Sequence, residues 1–511
     1  MGTKCLGILF VLFIVSTSVT QAVTVLSYQA EDAKIVSGVV ESNYSGYTGT
    51  GFVNYSNMVG SYVEWTINVT KAGLYHMDLR YANGTTVNRP LEIRINSTVG
   101  NPNLAFIATG AWSTWQNQGF NTQLKLGSNI IRATATTANG GPNVDKLTIG
   151  NTPLTGTDWG KAVVDSTITR YPTASDLGSW HYSKAFFLYG AYMVYKRTGD
   201  DRYLTYLQNW VDSHIDSAGN LDVNLDALDN MQGGNLFLIL YQITGQSKYK
   251  SAAQKIRTRL DTYPRTSDQG FWHMVTKVGQ LWLDGAYMLD PFLIRYGKIV
   301  GDKTYCNNEV ANQLLIYGSH LEDTNTELYF HAYDEQGDVS WADPVTHHSC
   351  CFWGRSIGWY TMAMVDTLEI LPKTHPKRSQ IVGKLQLLIG ALANYQETNS
   401  GRWYQVVDKG TVTGNWLETS CSAMYTYAIS RSIKKGYVDG ATYQSFANKG
   451  FQGTLAKISI GSDGLTNLTD ISDGSGVGDL NYYLARPKVT NSFNGLGAFL
   501  LMYEQMVKPY G

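Results

Sequence analysis

The sequence predicts a multidomain protein, with an N-terminal all-β jelly-roll sandwich followed by an all-α (α/α)6 toroid in which six helical hairpins close into a ring. Up to about residue 150, short runs alternate apolar and polar residues, as in Leu91-Glu-Ile-Arg-Ile95, which is the period of a half-buried strand. Beyond that point apolar residues follow helical spacing, as at Ile357, Tyr360, Met364 and Leu368. Two differently built domains are therefore expected.

The chain divides into four predicted segments. Residues 1–22 read as a signal peptide, because Lys4 precedes the apolar run 6–15 and small residues lie near position 22. Residues 23–150 are the predicted β-sandwich, 151–160 a linker, and 161–511 the helical domain. A membrane-spanning helix needs about 20 apolar residues and this run is shorter. We therefore expect a secreted, extracellular protein without a membrane partner.

A turn recurs in the helical region. Gly199, Gly245 and Gly301 each follow an apolar helix and precede an amphipathic one. Each glycine is predicted to end its helix, since glycine adopts a left-handed backbone at little cost. Repeated helix-Gly-turn-helix hairpins indicate a closed ring, and the length of the region fits the (α/α)6 toroid.

Charge and cysteine usage narrow the class of protein. The formal net charge is −1 and no basic block is present, so no nucleic-acid partner is expected. Beyond the signal peptide the chain has Cys306, Cys350, Cys351 and Cys421, which allow three pairings if two disulfides form. Cys350 and Cys351 lack zinc-ligand spacing with a second pair, and in an exported protein a structural disulfide is favoured over free thiols. No cofactor is predicted for catalysis.

Export would also allow glycosylation in a eukaryotic secretory pathway, where Asn-x-Ser/Thr tripeptides are the acceptors. They occur at Asn43, Asn54, Asn68, Asn83, Asn96 and Asn467.

Polar and aromatic residues lie just before strongly apolar predicted helices, at Asp229, Asp284, Trp353 and Arg355. In a ring of hairpins these positions meet at one mouth. Helix N-termini favour anions by about 0.3 to 1 kcal/mol each, so with Arg355 the mouth suits a sugar that carries a carboxylate. Taken alone, however, an Asp at such a position is usually an N-cap that contributes about 1 kcal/mol to stability.

Motifs in residues 160–511 resemble glycoside hydrolase family 105, the unsaturated rhamnogalacturonyl hydrolases. Phe271-Trp-His273 followed by Gln280-Leu-Trp-Leu-Asp-Gly-Ala-Tyr-Met288 is similar to one signature of the family. His331-Ala-Tyr-Asp-Glu335 followed by Phe352-Trp-Gly-Arg-Ser-Ile-Gly-Trp-Tyr360 is similar to a second. Met274 departs from the basic residue that often follows the histidine. Further agreement lies in residues 415–423, 476–479 and 495–501.

The resemblance implies that Asp284 is the general acid and base that hydrates the C4=C5 double bond of a terminal unsaturated uronic acid. Such ends are left by polysaccharide lyases, as in pectin and rhamnogalacturonan degradation. A carboxyl group that first donates a proton needs a raised pKa, which burial or the neighbouring Asp229 would provide. His331 would help to position the water. The residues implied to hold the sugar and its carboxylate are Tyr182, His273, Trp353, Arg355 and Trp359.

The N-terminal region resembles carbohydrate-binding modules of family 35 or the related family 6, on the elements Tyr28-Gln-Ala-Glu-Asp-Ala33, Thr109-Gly-Ala-Trp-Ser-Thr-Trp115 and Asn143-Val-Asp-Lys-Leu147. The resemblance implies a polysaccharide partner, with Trp112 and Asn143 as ligand residues. Alternation places Gln29 and Glu31 on one strand face. With Asp145 they are candidate ligands for a structural calcium ion. The alternative interpretation is that Gln29, Glu31 and Asp145 are ordinary polar residues at solvent-exposed strand ends and bind no metal.

Three functions stay open at this point. The favoured one is hydration of unsaturated uronyl oligosaccharides with release of the next sugar, whether the terminal residue is galacturonyl or glucuronyl. The second is an ordinary inverting glycosidase on the same toroid, with Asp229 and Asp284 as acid and base. The third is a non-catalytic sugar-binding protein.

Overall fold

The structure is a computed structural model that describes residues 25–70, 72–150 and 158–507. The predicted signal peptide and most of the predicted linker lie outside the described residues. The first helix begins at Trp159, so the last two positions assigned to the linker are helical. Within the described ranges no helix combines the length and the apolar character needed to cross a bilayer.

The N-terminal domain is a two-sheet β-sandwich, as predicted. One sheet has the strand order β3-β4-β11-β6-β9 with β1 paired to β11, and the other has the order β2-β5-β10-β7-β8. The strands are β1 Val25–Gln29, β2 Lys34–Val36, β3 Gly38–Glu41, β4 Phe52–Tyr55, β5 Tyr62–Val69, β6 Gly73–Ala82, β7 Leu91–Ile95, β8 Thr98–Leu104, β9 Gln116–Leu124, β10 Gly127–Ala135 and β11 Asn143–Gly150.

The core of this sandwich follows from the alternation seen in the sequence. Along β5 every second side chain is buried, at Val63, Trp65, Ile67 and Val69. The intervening residues face outward. Because the side chains of a strand alternate between its two faces, one face of each sheet supplies the apolar layer that the two sheets share.

The C-terminal domain is helical. Its described helices are α1 Trp159–Arg170, α2 Tyr182–Thr198, α3 Asp201–Ser213, α4 Gly234–Thr244, α5 Ser247–Arg259, α6 Gly285–Ile299, α7 Lys303–Leu321, α8 Gly354–Ile370, α9 Arg378–Asn394, α10 Thr419–Lys435, α11 Gly440–Leu455, α12 Leu480–Leu484 and α13 Phe493–Val507. Short strand pairs lie in the connections, among them β12 Gln280–Trp282 with β15 Ala332–Asp334. The remaining pairs are β13 Glu322–Asp323 with β14 Leu328–Tyr329, β16 Trp403–Tyr404 with β17 Leu417–Glu418, β18 Ile458–Ile460 with β19 Thr466–Leu468, and β20 Ile471–Ser472 with β21 Lys488–Val489.

The helices form a closed ring of hairpins. The inner helices α2, α4, α6, α8, α10 and α13 each contact the next, and α13 returns to contact α2. The outer helices α3, α5, α7, α9, α11 and α1 each pack on one or two inner helices. This arrangement confirms the predicted (α/α)6 toroid. The N-termini of the inner helices consequently gather at one mouth.

Two of the three predicted glycine turns have the expected backbone. Gly199 (φ 71°) and Gly245 (φ 68°) end α2 and α4 in the left-handed conformation. The third hairpin differs, because Val300 caps α6 and Gly301 follows it with φ 148°. Here Asp302 adopts the left-handed conformation, with φ 63°, immediately before α7 begins.

Buried charges tie the first and last helices of the ring together. The guanidinium of Arg197 on α2 donates to both carboxylate oxygens of Glu504 on α13, at 2.7 and 2.9 Å. It also donates to both oxygens of Asp158, at 2.7 and 2.8 Å, ahead of α1. The Glu504 side chain is fully buried. Two bidentate contacts from one arginine are a strong arrangement, since they match the planar fork of the guanidinium.

Asp290 on α6 is a buried acid whose carboxyl oxygens both lack a hydrogen-bond partner within the described part of the chain. Burial raises its pKa well above the ordinary value, and the nearby charge of Glu309 adds to the rise. The folded protein therefore holds Asp290 protonated. Since the unfolded chain releases this proton above about pH 3.9, the wild-type protein loses stability as pH rises through that range.

We expect Asp290→Asn to gain stability relative to wild type as pH increases, by about 1.4 kcal/mol per pH unit while the folded wild-type carboxyl stays protonated. Urea unfolding of the helical domain at several pH values between 4 and 8 measures this difference. A difference between the two proteins that is constant across the series would contradict the assignment of a protonated Asp290.

Candidate active site

Short backbone pairings between neighbouring hairpins build the mouth of the toroid. The segment before Asp229 pairs with the segment around His273, since the Leu228 N–H donates to the His273 carbonyl at 3.0 Å. The Val275 N–H donates to the Asp226 carbonyl at 2.8 Å. As a result His273 Nε2 lies 3.7 Å from Asp229 Oδ1.

A second pairing brings Asp284 to His331. Strand β12 pairs with β15, and the Leu283 N–H donates to the His331 carbonyl at 2.8 Å. The His331 imidazole is fully buried, and its Nε2 lies 3.1 Å from Asp284 Oδ2. The two atoms are close enough for an ion pair, although the N–H direction departs from the line between them.

Asp284 stands at the N-cap position of α6, yet its side chain accepts no capping hydrogen bond from the described residues. Its φ and ψ of −54° and −36° are helical, whereas a capping Asp normally adopts an extended backbone. Asp229 likewise lies inside the short 3-10 turn Leu228–Met231 rather than ahead of it. The capping interpretation therefore does not account for either carboxylate.

Burial and neighbouring charges split the pKa values of the two carboxyl groups. Burial raises the pKa of Asp229, and the negative charge of Asp284 adds to the rise against the opposing effect of His273. Burial also acts on Asp284, but His331 and His273 outweigh it and hold the pKa of Asp284 below its ordinary value. The direction expected for Asp284 was therefore wrong, because the two histidines stabilise its charged form.

Aromatic rings surround the two histidines. The Trp282 ring stacks on His273 with centroids 4.5 Å apart and an angle of 10° between the planes. His331 contacts Trp353 at 4.6 Å, and Trp282 meets it edge-on at 5.8 Å. Trp282 is half-buried, so part of its side chain is exposed, whereas Trp353 is buried. Partly open aromatic faces are suited to stacking against a sugar ring.

Tyr182 lies at the same mouth, at the first turn of α2. Burial raises the pKa of its phenol to about 12, with Arg355 opposing the shift and the charges of Asp229 and Asp284 adding to it. The phenol of Tyr182 is therefore coupled electrostatically to all three residues. It contacts Trp359 edge-on at 6.3 Å.

The other two predicted sugar-binding residues are deeper than the sequence suggests. Arg355 is buried and donates to the backbone carbonyls of Ser472 and Asp473, the latter at 2.8 Å. Trp359 is fully buried in the core, against Phe186 at 4.6 Å. Arg355 thus holds the 472–473 segment at the mouth, and Trp359 supports Tyr182 from below.

The structure pairs Cys350 with Cys351 in a disulfide and leaves Cys306 and Cys421 as buried thiols. The disulfide adjoins the site, since the Cys351 carbonyl accepts from the His331 N–H at 3.2 Å. A residue that sequence reasoning missed lies beside it: the Tyr483 hydroxyl is 2.7 Å from His331 Nδ1. The signal available for Tyr483 was its position four residues after the 476–479 motif.

In the N-terminal module, Gln29, Glu31 and Asp145 converge on the loop 48–51, although Glu31 lies in the turn after β1 rather than on its face. The Thr48 hydroxyl donates to Gln29 at 3.1 Å and to Asp145 at 3.0 Å. A β-bulge in β11 aims Asp145 inward, where Arg80 pairs with it at 2.7 Å. Glu31 Oε2 is buried and has no partner within the described residues.

The predicted ligand residues of the module differ in exposure. Trp112 is half-buried and stacks on Tyr44 at 6.2 Å, with the Arg89 guanidinium 5.5 Å from its ring. Asn143 is buried, and its Oδ1 has no partner among the described residues. Sequence reasoning missed Arg89, which carries no local motif.

The Asn83 tripeptide is not accessible for glycosylation in the folded module. The Asn83 side chain is fully buried and donates to the carbonyls of Val87 at 2.9 Å and Phe106 at 2.8 Å. Both amide hydrogens are therefore in use. This removes the conflict between a glycan at Asn83 and a ligand site near Trp112.

Comparison with known proteins supports both domains. The sequence profile of Glycosyl Hydrolase Family 88 matches residues 159–510, and that of carbohydrate binding module family 6 matches residues 29–151. A solved glycoside hydrolase of family 105 from C. acetobutylicum ATCC 824 is 34% identical, with a TM-score of 0.66. The structural match covers 68% of this chain and 99% of the chain of that glycoside hydrolase.

Two curated proteins extend the comparison. The unsaturated rhamnogalacturonyl hydrolase YesR of Bacillus subtilis (strain 168) is 28% identical over 263 residues, which are 50% of this chain and 72% of that enzyme. An exo-beta-D-glucosaminidase of Amycolatopsis orientalis is 56% identical over 124 residues, but these are 24% of this chain and 12% of that enzyme. The chain is a glycoside hydrolase with a carbohydrate-binding module, and it belongs to Glycosyl Hydrolase Family 88.

Proposed function

We propose that the protein hydrates the C4=C5 double bond of a terminal unsaturated uronic acid in lyase-generated oligosaccharides and so releases the next sugar. The observation that carries the proposal is the placement of Asp284 beside buried His331 at the mouth of a helical toroid, together with the pair of Asp229 and His273, whose charges act on Asp284. The name of the YesR relative, an unsaturated rhamnogalacturonyl hydrolase, supports this substrate class.

The reaction needs one proton to be donated and then recovered. The double bond is an enol ether, so a proton delivered to C4 by Asp284 leaves a cation at C5 that the ring oxygen stabilises. Water adds at C5 and returns its proton to Asp284. The resulting hemiketal opens by breaking the bond between C5 and the ring oxygen, which leaves a C5 ketone and a C1 hemiacetal. That hemiacetal collapses to an aldehyde and the free next sugar.

Because Asp229 and Asp284 have different pKa values, the two carboxyl groups together can hold the proton that the reaction needs. Between the lowered pKa of Asp284 and the raised pKa of Asp229 the two carboxyl groups share one proton. In the free protein it resides on Asp229. The carboxylate of an arriving uronate adds a negative charge to the pocket, which favours protonation of Asp284 as well. His331 would orient the water, while Trp282 and Tyr182 hold the sugar ring.

This arrangement predicts a bell-shaped dependence of kcat/KM on pH with an acidic optimum. Asp229→Asn removes the negative neighbour, so a proton on Asp284 is lost at a lower pH and the alkaline limb moves down. Initial rates of wild type and Asp229→Asn across the pH range measure the shift. An alkaline limb in the same place for both proteins would exclude coupling of the pair.

Reaction in heavy water tests the proposed chemistry itself. Hydration places one solvent deuterium on C4 of the released uronate product, because the proton that Asp284 donates comes from solvent. An ordinary inverting glycosidase would first release the unsaturated uronate with its double bond intact, and this free sugar takes up a deuteron at C4 only afterwards, when its ring opens to an enol that becomes the C5 ketone. NMR recorded during the reaction distinguishes the two, because hydration labels C4 without accumulating the free unsaturated sugar. Accumulation of the free unsaturated uronate, unlabelled at C4, would replace the proposal with the glycosidase alternative.

We also propose that the module binds polysaccharide at Trp112 and Asn143 and holds a calcium ion. Glu31 Oε2 is without a partner among the described residues, and Gln29, Glu31 and Asp145 all reach the loop 48–51 with oxygens of the hard kind that calcium prefers. The ion would brace the loop 48–51. Localisation outside the cell is proposed from the predicted signal peptide alone.

Calcium is therefore expected to raise the unfolding temperature of the full-length protein and a chelator to lower it. At calcium 100 times above its Kd the gain amounts to about 2.7 kcal/mol. Differential scanning calorimetry of wild type and Glu31→Gln measures the effect, which the variant should lose. Equal responses of both proteins to calcium would rule out this site.

A further inference from the structure

Tyr483 lies directly behind His331, on the side away from Asp284. Its hydroxyl oxygen is 2.7 Å from His331 Nδ1, and its side chain is fully buried. The residue belongs to α12 and packs in a small apolar cluster with Cys351, Trp353 and Val406. The ring is therefore held in place by packing that is independent of the hydrogen bond.

The direction of this hydrogen bond can be assigned from the partners of the hydroxyl. The backbone of Gly478 donates to the Tyr483 oxygen, and burial raises the pKa of Tyr483, so the phenol keeps its proton. That hydrogen is then available to His331 Nδ1, which accepts it. A neutral imidazole that accepts at Nδ1 carries its own hydrogen on Nε2. Nε2 is the atom 3.1 Å from Asp284 Oδ2.

We propose that Tyr483 is a positioning residue that fixes His331 in the tautomer with hydrogen on Nε2, facing Asp284. The inference rests on the proposed function for its kinetic consequences. In this tautomer His331 stabilises the ionised Asp284 that remains after proton donation, and it offers a donor to the water that adds next. The opposite tautomer would turn a lone pair towards the carboxylate and remove that support.

Tyr483→Phe tests the role with the smallest change, because it deletes the hydroxyl and keeps the buried ring. We expect kcat to fall by about 10- to 100-fold, by analogy with the loss found when the orienting partner of a metal-ligating histidine is removed. KM should be unchanged, since Tyr483 lies behind the imidazole. The acid limb of kcat/KM should move to higher pH, because His331 no longer holds the pKa of Asp284 down.

Tyr360→Phe is the matched control. The Tyr360 hydroxyl is also buried and donates to the Leu314 carbonyl at 2.6 Å, away from His331. The Tyr360→Phe variant loses a comparable buried hydrogen bond and should keep the wild-type kcat and pH profile. If Tyr483→Phe also kept both, or if it lowered the activity without moving the acid limb, a positioning role would be excluded.

A second measurement does not depend on turnover. The protein has nine histidines, and NMR of protein labelled with 15N-histidine reports on the ring nitrogens of each. The signals that disappear in His331→Gln are those of His331. Wild type should show hydrogen on Nε2 and a bare Nδ1, and Tyr483→Phe should change this pattern. Hydrogen on Nδ1 in wild type would overturn the proposal. An inactive wild type with the expected tautomer would instead refute the proposed function and leave the positioning role standing.

Discussion

Asp284→Asn is expected to reduce hydration of unsaturated disaccharides by about 10²- to 10⁴-fold, the usual contribution of a positioned acid–base group. Stability should change little. The Asp284 side chain makes no capping hydrogen bond with the described residues, and the amide removes both the burial cost of the carboxylate charge and the attraction of that charge to His331 and His273. Initial rates together with thermal unfolding of the same preparations measure both quantities.

Asp439 provides a control for which we expect a loss of stability without a loss of activity, the opposite of the result expected for Asp284. It stands at the N-cap of α11, and its carboxylate accepts from the N–H groups of Ala441 and Thr442. Asp439→Ala should therefore cost about 1 kcal/mol of stability and leave the activity intact. If Asp284→Asn behaved like Asp439→Ala, Asp284 would be a structural cap and the catalytic assignment would fail.

Arg197→Met is expected to destabilise the helical domain by about 3 to 5 kcal/mol, because it removes the cation that a buried carboxylate requires. Glu504 is fully buried and Asp158 is partly buried, and Arg197 joins both across the point where the ring closes. The loss should appear in denaturant unfolding followed by tryptophan fluorescence.

Arg202→Met is the matched comparison on the surface. Arg202 pairs with Asp165 and Asp200, but its side chain is 63% exposed. Exposed pairs contribute about 0 to 1 kcal/mol, so this variant should be close to wild type. Equal losses for the two arginine variants would show that burial of the Arg197 network does not matter to ring closure.

The architecture was accessible from the sequence because it depends on periodicity. Alternation in segments such as β5 and helical spacing in segments such as α8 are set by which face each element buries. The glycine turns at Gly199 and Gly245 could also be predicted from the sequence, since a left-handed backbone conformation strongly favours glycine. The turn at Gly301 was displaced because Asp302 takes up the left-handed conformation there.

The geometry of the site depends on contacts that a local pattern does not encode. Asp284 and His331 are 47 positions apart in the numbering and meet through the pairing of β12 with β15. Tyr483 lies 152 positions after His331 and reaches it from the segment that precedes α13. The pKa of Asp284 reverses direction for the same reason, since two histidines from other segments determine its charge. The roles assigned to the site residues stay predictions.

The most direct test of the account follows the ultraviolet absorbance of the C4=C5 bond while wild-type protein and Asp284→Asn act on lyase-generated disaccharides that end in unsaturated galacturonate or glucuronate. We expect wild type to destroy the chromophore of at least one substrate and to release one free sugar for each double bond lost, whereas Asp284→Asn leaves both substrates intact. A chromophore that persists with wild-type protein on every substrate, with or without cleavage of the glycosidic bond, would contradict it.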